Sequence, residues 1–355
     1  MPQTAKTPRN SAIELLRILA MAMIVLSHIC VHSGFDNTYS QLSLNRLFVQ
    51  FGYLGNLGVA LFVMICGYFQ SGLRSRALSR LLAQVWFYSL SLFLIFRFGF
   101  GYPYSAELLR QAFFPTVFNE YWFFTAYIIL FLLSPFVNLL LRSLTREQCR
   151  TLLVLMLLLW SVIPTLTKQH MYATELPQFL LYYCLGAYFR MYPENCFRKC
   201  WVRWAAALGS MAVLYGLTVV LGYWERFTPE AFGASARFYD RNSLLILTAA
   251  VGLFTLAVYA RPFKNDFINA VAGCTFGVYL IHDHPLVREL LWKDWLHWGH
   301  YFTSGSFIPR LIGSVVLVYA VCTAVEWLRQ KTVAKPMEAA IDSLLSRLLK
   351  KGSFV

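Results

Sequence analysis

Charge is what this chain has least of, and negative charge above all. Of its 355 residues only 14% are charged, with 17 acidic against 31 basic side chains, whereas 58% are hydrophobic. A soluble domain carries about 25% charged residues, so a soluble globular chain is excluded. Eight cysteines are scattered without a CxxC pair, and Cys196-x-x-x-Cys200 has no matching His or Cys cluster. A cysteine-based zinc site is therefore not expected, and we assign no metal. No internal repeat, low-complexity linker or second soluble domain is evident. The first apolar run is too long for a signal peptide and no small-residue cleavage site follows it, so we expect it to be retained.

What is present is a series of apolar runs near 20 residues, alternating with basic turns. They predict an all-α polytopic membrane protein of about ten transmembrane helices. The first span runs from Asn10 to about Ser33, and a polar loop with Asp36 and Arg46 follows. The next five are Phe51 to Phe69, Leu81 to Phe98, Tyr121 to Leu141, Thr151 to Leu166 and Leu176 to Phe189. The last four are Trp204 to Tyr223, Leu244 to Tyr259, Phe267 to Val287 and Ile308 to Leu328. The glycines of the second span (Gly52, Gly55, Gly58 and Gly67) read as close-packing positions. A net charge of +14 would point to nucleic acid in a soluble protein. Here it follows from the positive-inside rule, because about 21 of the 31 basic residues fall on the N-terminal side. We therefore expect no nucleic-acid partner and both termini in the cytoplasm. Residues 1–335 form one membrane domain, and 336–355 form a basic amphipathic tail, read as a helix on the cytoplasmic membrane surface.

The first span carries Glu14, Arg17 and His28 in or near hydrocarbon, where an ionisable side chain costs several kcal/mol and is read as functional. Ten residues separate Arg17 from His28. Eleven helical steps return to within roughly 20° of the same face, with a rise of roughly 16 Å between the two. Glu14 lies at the i,i+3 position from Arg17 for an ion pair.

This spacing, inside ELLRILAMAMIVLSH, resembles the opening helix of the acyltransferase-3 family, multi-pass enzymes that O-acetylate surface polysaccharides and related glycans. The resemblance implies that His28 is essential for acyl transfer. Tyr279-Leu280-Ile281-His282 resembles the family's late Tyr-Leu-Ile-His segment, and His282 falls at a depth comparable with His28. Trp122-Phe123 resembles an aromatic pair of the family, and Trp122 also fits an ordinary aromatic belt, the safer of the two readings. Glu120 sits at the outer mouth, placed to orient a histidine or a sugar hydroxyl. Arg76-x-x-x-Arg80, with Arg74 beside it, stands where the family commonly carries Arg-x-x-Arg. Leu61 to Gln70 resembles a Phe-Phe-x-x-Ser-Gly-Tyr segment, with Cys66 at the serine, and is read as packing. His284 and His297 are assigned to an outer loop.

The candidates for chemistry are thus His28, Glu14, His282 and Glu120. Arg17, Arg74, Arg76 and Arg80 are candidates for holding the donor, and Trp122 and Tyr279 for the acceptor. The resemblance implies an acyltransferase of the plasma (inner) membrane, with acetyl-CoA as co-substrate. The acceptor is a glycan hydroxyl or its lipid-linked precursor, and membrane lipids surround the protein. Residues 100–118 and 224–243 are the outer loops placed to meet that acceptor. His28 acts either as general base or as an acyl carrier. A competing reading is a proton-coupled transporter using His28 and His282 as a relay. It lacks a duplicated pair of broken helices. A third reading, an amino-acid-recognising module from the racemase branch of the family, lacks the racemase domain.

Overall fold

A computed structural model describes residues 9–35, 43–70, 75–103, 105–167, 169, 171–172, 174–225, 227–228, 234–296 and 302–351. Among the described residues there are sixteen α-helices and no strand. In chain order these begin α1 (Ser11–His32), α2 (Leu44–Phe51), α3 (Gly55–Phe69), α4 (Ser75–Leu94) and α5 (Ala106–Phe113). They continue with α6 (Trp122–Ser143), α7 (Arg146–Leu157), α8 (Ile163–Thr167), α9 (Glu175–Met191), α10 (Cys200–Trp204) and α11 (Ser210–Trp224). The last are α12 (Leu244–Val258), α13 (Asp266–His282), α14 (Pro285–Glu289), α15 (Phe307–Thr332) and α16 (Ala334–Lys351). Single π-turns join α7 to α8 and α10 to α11, so each pair crosses as one rod.

Eight of the resulting rods are long and apolar enough to cross a membrane. The expected sixth and ninth spans correspond to α9 and α13, which have 17 residues each. Both are largely buried, and with α1 and α3 they form the centre of the protein. α7, α11 and α15 lie outside them and turn apolar side chains such as Leu155, Val220 and Val316 outward. This is how a bundle meets lipid, where no backbone polar group is left unpaired.

The centre is held by backbone contact. A Cβ on Gly67 of α3 would strike the carbonyl of Tyr183 in α9, and one on Gly186 of α9 would strike the carbonyl of Met64. The two helices cross with no room for side chains between them, the packing that small residues permit in membranes.

Turns at one end of the bundle are tied together by Ser11 N–H to Phe263 O (2.9 Å), Arg142 to Gln70 (2.9 Å) and Arg146 to Glu194 O (2.7 Å). We call this the basic end. At the far end, Asn45 donates to Phe302 O (2.7 Å) and Asn56 to Tyr239 O (2.9 Å).

Several boundaries differ from the sequence expectation. Arg46 does not lie in a polar loop. It sits in α2, capped by Ser43, and is buried against Glu225 at 2.7 Å. The chain then turns at Gly52 before α3. The third span begins at Ser75 rather than Leu81, which brings Arg76 and Arg80 into α4. The ninth span stops at His282 rather than Val287, because Pro285 has no N–H to continue the ladder and instead opens α14. The tail helix α16 packs along α4, with Ser79 donating to Asp342 (3.0 Å) and Ile341 buried. Lys6, Asp36, Arg74 and His297 lie outside the described residues.

Candidate active site

α1 starts sharply because the Asn10 side chain accepts from Ala12 N–H (3.1 Å) and Glu14 stands in the first turn. Both satisfy the positive end of the helix. From there no glycine or proline interrupts the ladder to His32, so the faces set by sequence spacing persist. Arg17 and His28 do share a face, and it lines a cavity of about 540 Å³. Arg9, Arg17 and Arg80 line its basic end, and Val31, His32 and Asn56 its far end. Between them Met21, Ile24, Val59 and Phe62 form an apolar sleeve.

Arg17 is held by Glu14 at 3.1 Å and lies over the Phe69 ring at 5.9 Å. Glu14 is buried and is not among the lining residues, so its observed contact is with Arg17 rather than with the cavity. Arg80 lines the mouth and also reaches Glu338 of α16 at 3.5 Å, while Arg76 is exposed and does not line the cavity. The two arginines, expected to act together, are therefore separated. Trp122 and Tyr279 both line the cavity. The Arg241 guanidinium covers one face of Trp122 at 4.7 Å and is anchored by Glu175 at 2.7 Å. The Tyr279 hydroxyl is buried beside the Asp283 carboxylate. Cys66, read as packing, also lines the cavity, with its Sγ 3.1 Å from the Tyr127 hydroxyl.

His282 lies behind His28. Its Nδ1 is 2.6 Å from Val278 O and its Nε2 is 3.0 Å from His28 Nδ1. A carbonyl only accepts, so Nδ1 of His282 carries the proton. A neutral His282 then presents Nε2 as the acceptor, and Nδ1 of His28 must donate to it. The lone pair of His28 is thereby left on Nε2. Asp283 Oδ1 lies 3.4 Å from the same Nδ1 and accepts from Arg288 at 2.8 Å. His282 is fully buried and does not line the cavity. It was expected among the residues of the chemistry, at the depth of His28; it contacts His28 itself rather than the cavity.

Two further expectations change. His284 is not exposed on an outer loop but sits in the tight turn between α13 and α14. It is 2% exposed, caps α14 by accepting from Leu286 N–H at 3.2 Å, and points Nε2 at Glu120 Oε1, 3.2 Å away. The Glu120 carboxylate is buried there, accepts from Ser89 at 2.5 Å, and does not line the cavity. It orients a histidine, but His284 rather than His28. Within residues 100–118, α5 folds back onto α4, with Trp86 and Ser89 donating to Phe113 O and Ala112 O at 3.1 Å each.

A buried cluster on α15 went unread in the sequence. Glu326 accepts from Tyr88 (2.7 Å), Gln330 (2.7 Å) and Arg329 (2.8 and 2.9 Å), and it fills the space left by Gly277. The signal available was an i,i+3 acid–base pair at the end of the tenth span.

These features define a polytopic membrane protein with an internal site that pairs cations at one end with a braced histidine toward the other. A family model described as an acyltransferase domain matches residues 10–327, nearly the whole chain. The chain belongs to the acyltransferase-3 family and is a membrane acyltransferase. Neither a curated protein nor a solved structure matches it.

Proposed function

We propose that this protein takes an acyl group, acetyl above all, from cytoplasmic acyl-CoA and places it on a hydroxyl of a surface glycan or of its lipid-linked precursor. The observation that supports this reading is the single cavity shared by Arg17, Arg80 and His28. The donor's phosphates meet Arg9, Arg17 and Arg80, whose guanidinium groups suit phosphate oxygens. The pantetheine arm lies along the apolar sleeve and brings the thioester toward His28. The rise of roughly 16 Å between Arg17 and His28 is of the order that arm spans.

The acceptor arrives from the opposite side, near Trp122 and Asn56. Its hydroxyl gives a proton to Nε2 of His28 as its oxygen attacks the thioester carbon. The tetrahedral intermediate collapses, the carbon–sulfur bond breaks, and the CoA thiolate takes a proton from His28. The products are an ester and CoA–SH. His282 acts through His28: it holds the donating nitrogen, fixes the tautomer and stabilises the imidazolium as it forms. In this reading the protein sits in the plasma (inner) membrane, with the basic end and both termini in the cytoplasm.

The test compares donor binding with turnover in correctly inserted His28→Ala. Acyl-CoA binding should persist through the distant arginines, while transfer falls by roughly 10²–10⁴-fold. Near-normal transfer would remove α1 from the chemistry. Binding without transfer in the wild type, for every glycan acceptor and for water, would favour a carrier.

A further inference from the structure

His32 has no part in the transfer just described. It stands one helical turn beyond His28, lines the same cavity, and its ring centroid is 5.5 Å from that of His28. Asp283 completes a group. One ligand atom from each of His28, His32 and Asp283 lies within 4.8 Å of the other two. Asp283 is 1% exposed, its Oδ1 is shared with His28 and Arg288, and the Tyr279 hydroxyl lies beside its carboxylate. A carboxylate in so dry a place is costly unless its charge is balanced, and a guanidinium and a neutral imidazole on one oxygen leave room for a further cation.

The chemistry of the three donors is selective. Two imidazoles at i,i+4 on one helix face, with a carboxylate from a neighbouring element, suit borderline transition metals. Magnesium and calcium prefer all-oxygen sites. Zinc bonds of about 2.0–2.2 Å place neighbouring ligand atoms about 3.3 Å apart, so the closure needed from the observed arrangement is small. The cavity gives an ion its way in, and Arg288 keeps Oδ1 while Oδ2 turns to the metal.

We propose that His28, His32 and Asp283 form a binding site for a divalent transition metal of the Zn²⁺ class, and that its occupation halts acyl transfer. The site stands on the geometry alone. The inhibition rests on His28 being the proton acceptor, because a metal-bound nitrogen has no lone pair to offer.

The test uses the full chain purified in detergent. Co²⁺ serves as the spectroscopic probe, and Zn²⁺ is titrated into the transfer reaction. The wild type should bind one Co²⁺ with visible absorption of tetrahedral type, displaced by Zn²⁺. Zn²⁺ should stop turnover and EDTA should restore it. His32→Ala and His32→Gln should turn over normally without metal and need roughly 10-fold more Zn²⁺ or beyond for half-inhibition. Equal inhibition of wild type and both variants, or Co²⁺ spectra unaffected by losing His32, would overturn the site. Loss of basal turnover on EDTA treatment would overturn its inhibitory role. Co²⁺ held through His32 with turnover unchanged would uphold the site and count against His28 as the base.

Discussion

His282 presents Nε2 to Nδ1 of His28 at 3.0 Å and is itself fixed through Nδ1 by the Val278 carbonyl at 2.6 Å. The pair is a directed chain: carbonyl, imidazole, imidazole. Removing the middle link should leave His28 free to adopt the wrong tautomer. His282→Ala should lower turnover by about 10–100-fold, the usual loss when an orienting partner is removed, with donor affinity unchanged. His282→Gln, whose amide oxygen can accept from His28, should recover part of the rate. Equal rates for the two variants would mean that bulk, not the hydrogen bond, is what His282 supplies.

Arg76 and Arg80 should part company. Only Arg80 lines the cavity, and its side chain is 67% exposed, so the contact proposed for it with a donor phosphate would be screened. Arg80→Ala should weaken acyl-CoA binding by about 1 kcal/mol, roughly fivefold. Arg76→Ala should leave it unchanged. Calorimetric titrations at low and high salt would check this, and the Arg80 effect should shrink as salt rises. Matching effects from both variants would show that the mouth is wider than the geometry indicates.

The Glu326–Arg329 pair carries a different expectation, because neither partner reaches the cavity. Both are nearly fully buried. Glu326→Gln alone strands a buried guanidinium and should destabilise the protein by about 3–5 kcal/mol. Joint replacement by Leu and Met should restore much of that loss, since a buried pair adds little over a well-packed apolar one. Thermal unfolding in detergent measures both. A single variant as stable as the wild type would mean that Tyr88 and Gln330 satisfy Arg329's surroundings by themselves.

The orientation is open to a direct check. Cys196 and Cys200 are exposed at the basic end. A membrane-impermeant maleimide added to intact cells should leave both unlabelled, and a reporter after Val355 should read as cytoplasmic. Labelling from outside would invert every assignment of sides in the proposed function.

How much of this was legible beforehand depends on the range of each relationship. Arg17 and His28 share a face because an uninterrupted helix keeps its period, and Glu14 meets Arg17 for the same local reason. The end of the ninth span was marked by Pro285, although the apolar run continued past it. His28 and His282 are 254 residues apart, and Arg46 and Glu225 are 179 apart. Such contacts depend on how helices cross, which the pattern along one helix does not encode. Glu120 illustrates the difference. Its place at the far end followed from topology, but which histidine it faces followed from the turn after α13. The Glu326 cluster was missed because the expected span ended at Leu328, one residue short of Arg329.

The cavity has a consequence beyond the reaction. Its lining begins at Arg9 and ends at His32, and the α1 helix between them is about 33 Å long, close to the hydrocarbon thickness of a bilayer. A wet passage of that length would short-circuit the ion gradients of the cell. The sleeve of Met21, Ile24, Val59 and Phe62 opposes this, since an apolar lining sheds water and raises the barrier to ions. In the proposed function the side chains that receive the donor's flexible arm would thus double as electrical insulation, and replacing them with polar residues should raise ion leak as well as lower turnover.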